Sequence, residues 1–260
     1  RLVASATLPT IPLFTLAGYL LAESGAPSRL IRLFRALFGW LPGGTAVVTA
    51  LLCAFFTTFT GGSGVTILAL GGLLFPALLE DRYPERFSLG LLTASGSLGL
   101  LFPPCLPVIL FGVVAATPID RLYLGGLVPG LLLVALVAGW GVSQALRSGA
   151  GRVPFEWREA AAAIWAAKWE LGLPVLVLLG LFGGLATLVE TAAVAALYAL
   201  LVEGGIHRDL RLRGEALRVM VECVTLVGGV LIILGVALGF TSYLVDAGVP
   251  ARGAAWVREA

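Results

Sequence analysis

Charge is what this 260-residue chain has least of: Asp, Glu, Lys and Arg together make up 12% of it, against 59% hydrophobic residues. A soluble domain carries roughly 25% charged residues, and so small a supply could not cover the surface of one. There is one histidine, His207, which leaves no basis for a histidine metal cluster or for most nucleophile–histidine pairs. Cys53, Cys105 and Cys223 all fall in apolar stretches and read as small buried side chains, not as a disulfide framework. The net charge of +2 says little about partners, because orientation depends on where the positive charges lie and not on their sum, and no nucleic-acid partner is expected. The first residue is Arg1 and no secretory signal pattern opens the chain. The chain is therefore expected to be a piece of a longer protein.

What fills the chain instead is apolar runs long enough to cross a bilayer, at a mean hydropathy of +1.01, parted by short charged islands. Its 34 glycines and 14 prolines sit largely inside those runs, as transmembrane helices permit where neighbours re-satisfy the backbone. The expectation is an all-α polytopic membrane protein.

Residues 8–22 read as one helix. In residues 28–40, Leu30, Ile31, Leu33, Phe34, Leu37 and Phe38 share a broad helical face, while Arg29, Arg32 and Arg35 recur every third position. That pattern predicts a helix lying in the membrane interface with its arginines reaching the headgroups, anion binding being the functional alternative. Residues 43–79 contain no charge. As one helix they would extend about 55 Å, against a hydrocarbon core of about 30 Å. Two elements are expected, as a re-entrant hairpin or two short crossings, broken in residues 57–64 where three glycines fall among poor helix formers. Residues 89–116 hold a second break, because Pro103, Pro104 and Pro107 cannot all sit in one intact helix. Residues 122–142 form a plain span, followed by a charged loop with Arg147, Arg152, Arg158 and Lys168. Residues 171–202 suggest two short helices hinged near 185–190. Glu190 stands in the first turn of the second, either as a helix-terminal carboxylate or as a functional intramembrane one. The arginines at 208, 211, 213 and 218 mark a second cytoplasmic loop, and residues 220–245 make the last span.

The chain also resembles itself. GYLLAESGAPSR, residues 18–29, aligns with TSYLVDAGVPAR, residues 241–252, at one constant offset: Leu21 with Leu244, Glu23 with Asp246, Gly25 with Gly248, Pro27 with Pro250, Arg29 with Arg252. With both arginine-rich loops in the cytoplasm, the first copy enters that side and the second leaves it, its arm carrying Arg252, Arg258 and Glu259. Copies of opposite orientation make an inverted repeat, from which many secondary transporters are built. The chain stops inside the second arm, so the counterparts of the two breaks are expected beyond residue 260.

Interrupted helices expose main-chain carbonyls that can coordinate sodium and helix amino-termini that favour a carboxylate. The first break supplies Thr57, Thr58, Thr60, Gly61, Gly62, Ser63 and Gly64; the second supplies Ser95, Gly96, Ser97, Gly99, Pro103 and Pro104. Hydroxyl and carbonyl oxygens suit a monovalent ion. For any single residue, close packing between helices is the competing account.

The segments IPLFTLAGYLLAESG, FFTTFTGGSGVTILALGGLLFPAL, TASGSLGLLFPPCLPVILFGV, LGGLVPGLLL and ETAAVAALYALLVE resemble, in order and spacing, the large membrane subunit (DctM-type) of tripartite ATP-independent periplasmic, or TRAP, transporters. The resemblance covers essentially the whole chain. It implies an elevator-type fold of the ion transporter superfamily, with scaffold helix and arm in residues 1–42, transport-domain hairpin and broken helix in 43–121, scaffold helices and cytoplasmic loops in 122–218, and the start of a second repeat in 219–260. It also implies sodium-coupled import of organic acids across the inner membrane of a bacterium or archaeon. A periplasmic binding protein would deliver the substrate, and a small four-helix membrane subunit would be the partner. No cofactor is expected beyond the coupling ion. The chain departs from the family where many members have serine–glycine–serine, here Thr60, Gly61 and Gly62, and where they have an aspartate a turn later, here Thr66.

A related carrier working without a binding protein is the nearest alternative. An intramembrane enzyme would need a histidine or aspartate inside an apolar span, and none lies there. A scaffold protein would leave two uncharged broken helices unexplained. A channel would share the fold logic and differ in showing flux that does not saturate.

Overall fold

The computed structural model describes residues 7–149, 151, 154–210, 214–250 and 252. Arg152, Arg211, Arg213, Arg258 and Glu259, which entered the charge argument, lie outside them. All regular structure among the described residues is helical. In chain order the helices are α1 (Thr10–Ala22), α2 (Ala26–Phe38), α3 (Gly44–Thr60), α4 (Ser63–Glu80), α5 (Glu85–Ser95), a 3₁₀ turn (Leu98–Leu101), α6 (Leu106–Ala115), α7 (Ile119–Ser148), α8 (Trp157–Ala166), α9 (Lys168–Phe182), α10 (Leu188–Leu201), a π-helical turn (Val202–Ile206) and α11 (Glu215–Asp246).

Four stretches are long and apolar enough to cross a membrane: Ser63–Glu80, Ile119–Ser148, Leu188–Ile206 and Glu215–Asp246. Two bent pairs pass the same test only when each is taken as one broken span, which would bring the number to six: α5 with its 3₁₀ turn and α6, bent by 43°, and α8 with α9, bent by 63°. α7 outruns the expected 122–142 at both ends, and α11 starts well before the expected 220 while ending close to the expected 245. At 30 and 32 residues they would be about 45 and 48 Å long, so each is tilted in a bilayer or emerges from it.

α3 stands at the centre. It carries no charge, nearly every residue from Gly44 to Thr60 is buried, and α1, α2, α4, α5, the 3₁₀ turn and α7 all pack on it. A helix apolar all round needs neighbours on every side, and glycines on those neighbours bring the backbones together. A Cβ on Gly18 of α1 would fall 2.5 Å from the Phe59 carbonyl carbon, and one on Gly141 of α7 would fall 2.6 Å from the Ala46 side chain. α3 turns into α4 through Gly61 and Gly62. At the opposite end of the pair Thr45 Oγ1 hydrogen-bonds the Asp81 carboxylate. The two helices thus form an antiparallel hairpin whose start and finish lie together.

The expected hinge between α9 and α10 is present, and Glu190 closes a capping box: its amide donates to Thr187 Oγ1 at 3.3 Å, and the Thr187 amide donates to Glu190 Oε2 at 2.7 Å. This is a helix-terminal carboxylate. The charged loop expected after α7 contains a further helix, α8. Its sequence WREAAAAIWA is rich in alanine, the strongest helix former, and the charges flanking it hid that signal.

Three contacts gather the arginine-rich loops at one end. Arg32 of α2 binds Glu159 of α8, Arg29 binds Asp209, and Arg218 binds Glu23 just past α1. The last residues of α11, up to Asp246, lie at its far end from there. In both copies of the repeated segment the glycine carbonyl accepts from the arginine amide four residues on, at 3.2 Å from Arg29 to Gly25 and 3.0 Å from Arg252 to Gly248.

Arg29 corrects the expectation that all three arm arginines reach headgroups. Its guanidinium donates through Nε to Glu170, through Nη2 to Glu203 at 2.8 Å and through Nη1 to Asp209 at 2.6 Å. Burial works to release the Arg29 proton, but the hydrogen bond with Asp209 and the charge of Glu170 outweigh it and hold the group above its ordinary pKa. Arg32 is likewise engaged, by Glu159. Two of the three arginines fasten the arm to the protein.

Candidate functional site

The α3–α4 tip owes its shape to two glycines with different tasks. Gly61 has φ +67°, a left-handed conformation that ends α3, and its amide donates to the Thr57 carbonyl at 2.9 Å. Gly62 is extended and leads into α4, whose first turn has no side-chain cap. The amino end of α4 therefore presents amides, and the positive end of its dipole, at the tip.

Against this tip packs the break between α5 and α6. The closest approach is Gly99, where a Cβ would lie 2.2 Å from the Ala54 carbonyl oxygen and 2.5 Å from the Thr58 amide. Only hydrogen fits there, so the unwound segment lies directly on the last turns of α3. Pro103 and Pro104 form the turn after the 3₁₀ helix, and Pro107 falls in the first turn of α6, where a missing amide leaves no bond unmade.

Threonine hydroxyls join the two breaks. Thr57 Oγ1 lies 2.8 Å from the Gly96 carbonyl oxygen and 2.9 Å from Thr66 Oγ1, and Thr66 Oγ1 lies 3.0 Å from Thr60 Oγ1. All three side chains are buried. Thr58 Oγ1 donates to Ala54 within its own helix at 2.8 Å and stands 3.3 Å from the Gly99 carbonyl. The buried Ser95 hydroxyl has no hydrogen-bond partner among the described residues.

The sequence-derived candidates thus divide. Thr57, Thr58, Thr60, Gly61, Gly62, Gly96 and Gly99 form one contiguous oxygen-rich contact between the breaks, and Ser63 joins it through its carbonyl, 3.2 Å from where a Gly96 Cβ would stand. Ser95 is buried next to it in sequence. Gly64 is exposed with open space around it, and Ser97 is exposed with its hydroxyl turned back to Ala94. Pro103 lines a separate apolar cavity of about 240 Å³ with Phe55, Thr58, Phe102 and Pro174. Beside the tip a pocket of about 430 Å³, lined by Tyr19, Glu23, Val65, Leu68 and Glu222 among others, separates α4 from α1 and α11.

Thr66 was noted in the sequence only as a departure from a family pattern, and it proves to be the middle of the hydroxyl string. Its signal was its position one helical turn past Gly62, toward the same neighbours. Glu170 and Glu203 were also missed. Both are wholly buried and meet on Arg29, and only their places near the ends of apolar runs hinted at it.

The tripartite ATP-independent periplasmic transporter, DctM component, matches residues 2–260. The isethionate TRAP transporter permease protein DctMQ of Oleidesulfovibrio alaskensis is 38% identical over 80% of this chain and 33% of its own length. The ectoine TRAP transporter large permease protein TeaC of Halomonas elongata is 34% identical over 81% of this chain and 49% of its own length. The C4-dicarboxylate TRAP transporter large permease protein DctM of Pseudomonas aeruginosa is 33% identical over 97% of this chain and 59% of its own length. The chain spans about half the length of the curated relatives it matches.

Proposed function

The chain belongs to the DctM component family of tripartite ATP-independent periplasmic transporters, and on that premise we propose that it supplies one half of the ion and substrate site of a sodium-coupled importer of organic acids. A periplasmic binding protein hands over the substrate and a small four-helix membrane subunit completes the assembly in the inner membrane. The relatives are named for isethionate, ectoine and C4-dicarboxylates, so the substrate is drawn no more narrowly than a small organic acid.

The observation that carries this reading is the contact between the two breaks. The carbonyls of Gly96 and Gly99 and the hydroxyls of Thr57, Thr60 and Thr66 converge without a single charged side chain. Neutral oxygens of this kind replace the hydration shell of a monovalent cation, and the uncapped start of α4 favours the carboxylate that accompanies it. The likeness of residues 18–29 to 241–252, at opposite ends of their helices relative to the arginine-rich loops, fits an inverted repeat whose second half supplies the facing hairpin. In an elevator the α3–α4 hairpin and the broken helix move together, and the pocket between the tip and Glu23 is the release path on the arginine side.

The test is uptake by the full-length protein with its partner subunit in proteoliposomes, with binding protein and substrate outside. Uptake should require an inward sodium gradient and the binding protein and should saturate with substrate. Uptake that runs equally well on potassium, or without the binding protein, sinks the corresponding part of the reading.

A further inference from the structure

At the arginine end a pocket of about 510 Å³ opens between α2 and the segment leading into α8, lined by Ser28, Arg32, Arg35, Pro154, Glu156 and Glu159 among others. Its size is that of a small-molecule site, about 300–1,000 Å³. The four charged groups fall into two pairs. Arg32 and Glu159 satisfy each other, Nε to Oε1 at 2.6 Å and Nη2 to Oε2 at 3.0 Å. Arg35 and Glu156 line the same pocket, and neither side chain has a hydrogen bond or ion pair among the described residues. Among the described residues, one unpaired cation and one unpaired anion therefore face a common space.

The surroundings are those of a membrane interface. α8 is turned 63° from the apolar α9. Trp157 and Trp165 on it are 78% and 71% exposed, and Lys168 Nζ sits 3.6 Å from the centre of the Trp165 ring. Exposed tryptophans beside cationic side chains settle at headgroup level.

We propose that this pocket binds the headgroup of a zwitterionic phospholipid carrying a primary ammonium, its phosphate on the Arg35 guanidinium and its ammonium on the Glu156 carboxylate. The two contacts are charge-assisted hydrogen bonds. The four side chains sum to zero charge, so an anionic lipid without an amine would set its phosphate against Arg35 and leave Glu156 unanswered. A trimethylated amine has no N–H to give the carboxylate. Specificity thus follows from one missing donor and one uncompensated charge.

The test uses delipidated full-length protein, with phosphatidylethanolamine, phosphatidylglycerol and phosphatidylcholine of identical acyl chains added in equal amounts and retained lipid counted by native mass spectrometry. Phosphatidylethanolamine should be retained several-fold over both others, and stepwise N-methylation of its amine should lower retention at each step. Glu156→Gln should erase the preference over phosphatidylcholine, and Arg35→Gln should lower retention of all three. Glu85→Gln, outside the pocket, should change nothing. Equal retention of the three lipids, preference for phosphatidylglycerol, or insensitivity to N-methylation overturns the assignment. The methylation series leaves the protein unaltered, so it decides the matter even if a substituted chain fails to fold.

Discussion

Arg29 Nη2 lies 2.8 Å from Glu203 Oε2, on a carboxylate that solvent does not reach. The same guanidinium holds Glu170, equally buried, so one side chain of the arm compensates two carboxylates from α9 and the π-helical turn. Arg29→Ala would leave both without their cation, and breaking a buried pair in this way costs about 3–5 kcal/mol. The purified variant should melt at a markedly lower temperature, or fail to accumulate. Arg32→Ala, which removes an exposed pair, should leave the midpoint nearly unchanged. Equal effects of the two would show that the Arg29 cluster is no more than a surface contact.

The glycines of the breaks should separate by substitution. Gly99→Ala puts a methyl group 2.2 Å from the Ala54 carbonyl, where backbone cannot yield, and should destabilise the protein by about 1–3 kcal/mol or more. Gly61→Ala meets a left-handed conformation and the Leu106 side chain at 2.7 Å, and should cost about 1–2 kcal/mol for the backbone alone. Gly64→Ala has open space on every side and should leave thermal stability as it is. A melting series on the three variants checks the order.

Gly62→Val tests the site without touching the packing. The residue is extended and the nearest atom to a new Cβ is 3.6 Å away, so the variant should fold. A branched side chain at the tip should still weaken sodium activation of uptake by the full-length protein. Wild-type sodium activation in this variant would make the tip a packing feature and place the ion elsewhere.

Thr57→Val takes the donor from the Gly96 carbonyl, whereas Thr66→Val removes a hydroxyl whose nearer neighbours are other hydroxyls, the Gly62 carbonyl at 3.4 Å keeping the Thr66 amide. An orphaned buried acceptor costs about 1–3 kcal/mol, a shared hydrogen bond about 1. Thermal unfolding should rank Thr57→Val as the more damaging. If the hydroxyls ligate the ion, both variants should also need more sodium for half-maximal uptake.

Single cysteines in a background lacking Cys53, Cys105 and Cys223 should report the topology. Gly151→Cys and Gly214→Cys should react from one side of the membrane and Ala247→Cys from the other, since α11 leads away from the end where Arg218 meets Glu23. Labelling of the first two from opposite sides would overturn the inverted repeat.

Apart from α8, the helices and their breaks can be read directly from the residues. Those features are local: Gly61 and Gly62 end one helix and admit the next, Pro103 and Pro104 stop another, and charges at residues 80–86 and 208–218 bound the apolar runs. The chain's facing threonines were legible as a group for the same reason. Which oxygens meet, that Thr66 stands between Thr57 and Thr60, and that Ser97 turns away follow from how the helices pack. That packing also decides the fate of Arg29, whose helical period matches Arg32 and Arg35 but whose partners lie 141, 174 and 180 residues along the chain. A repeat of three arginines fixes which face of a helix is charged. Whether that face meets headgroups or buried carboxylates depends on where distant helices come to rest, and no local pattern carries that information.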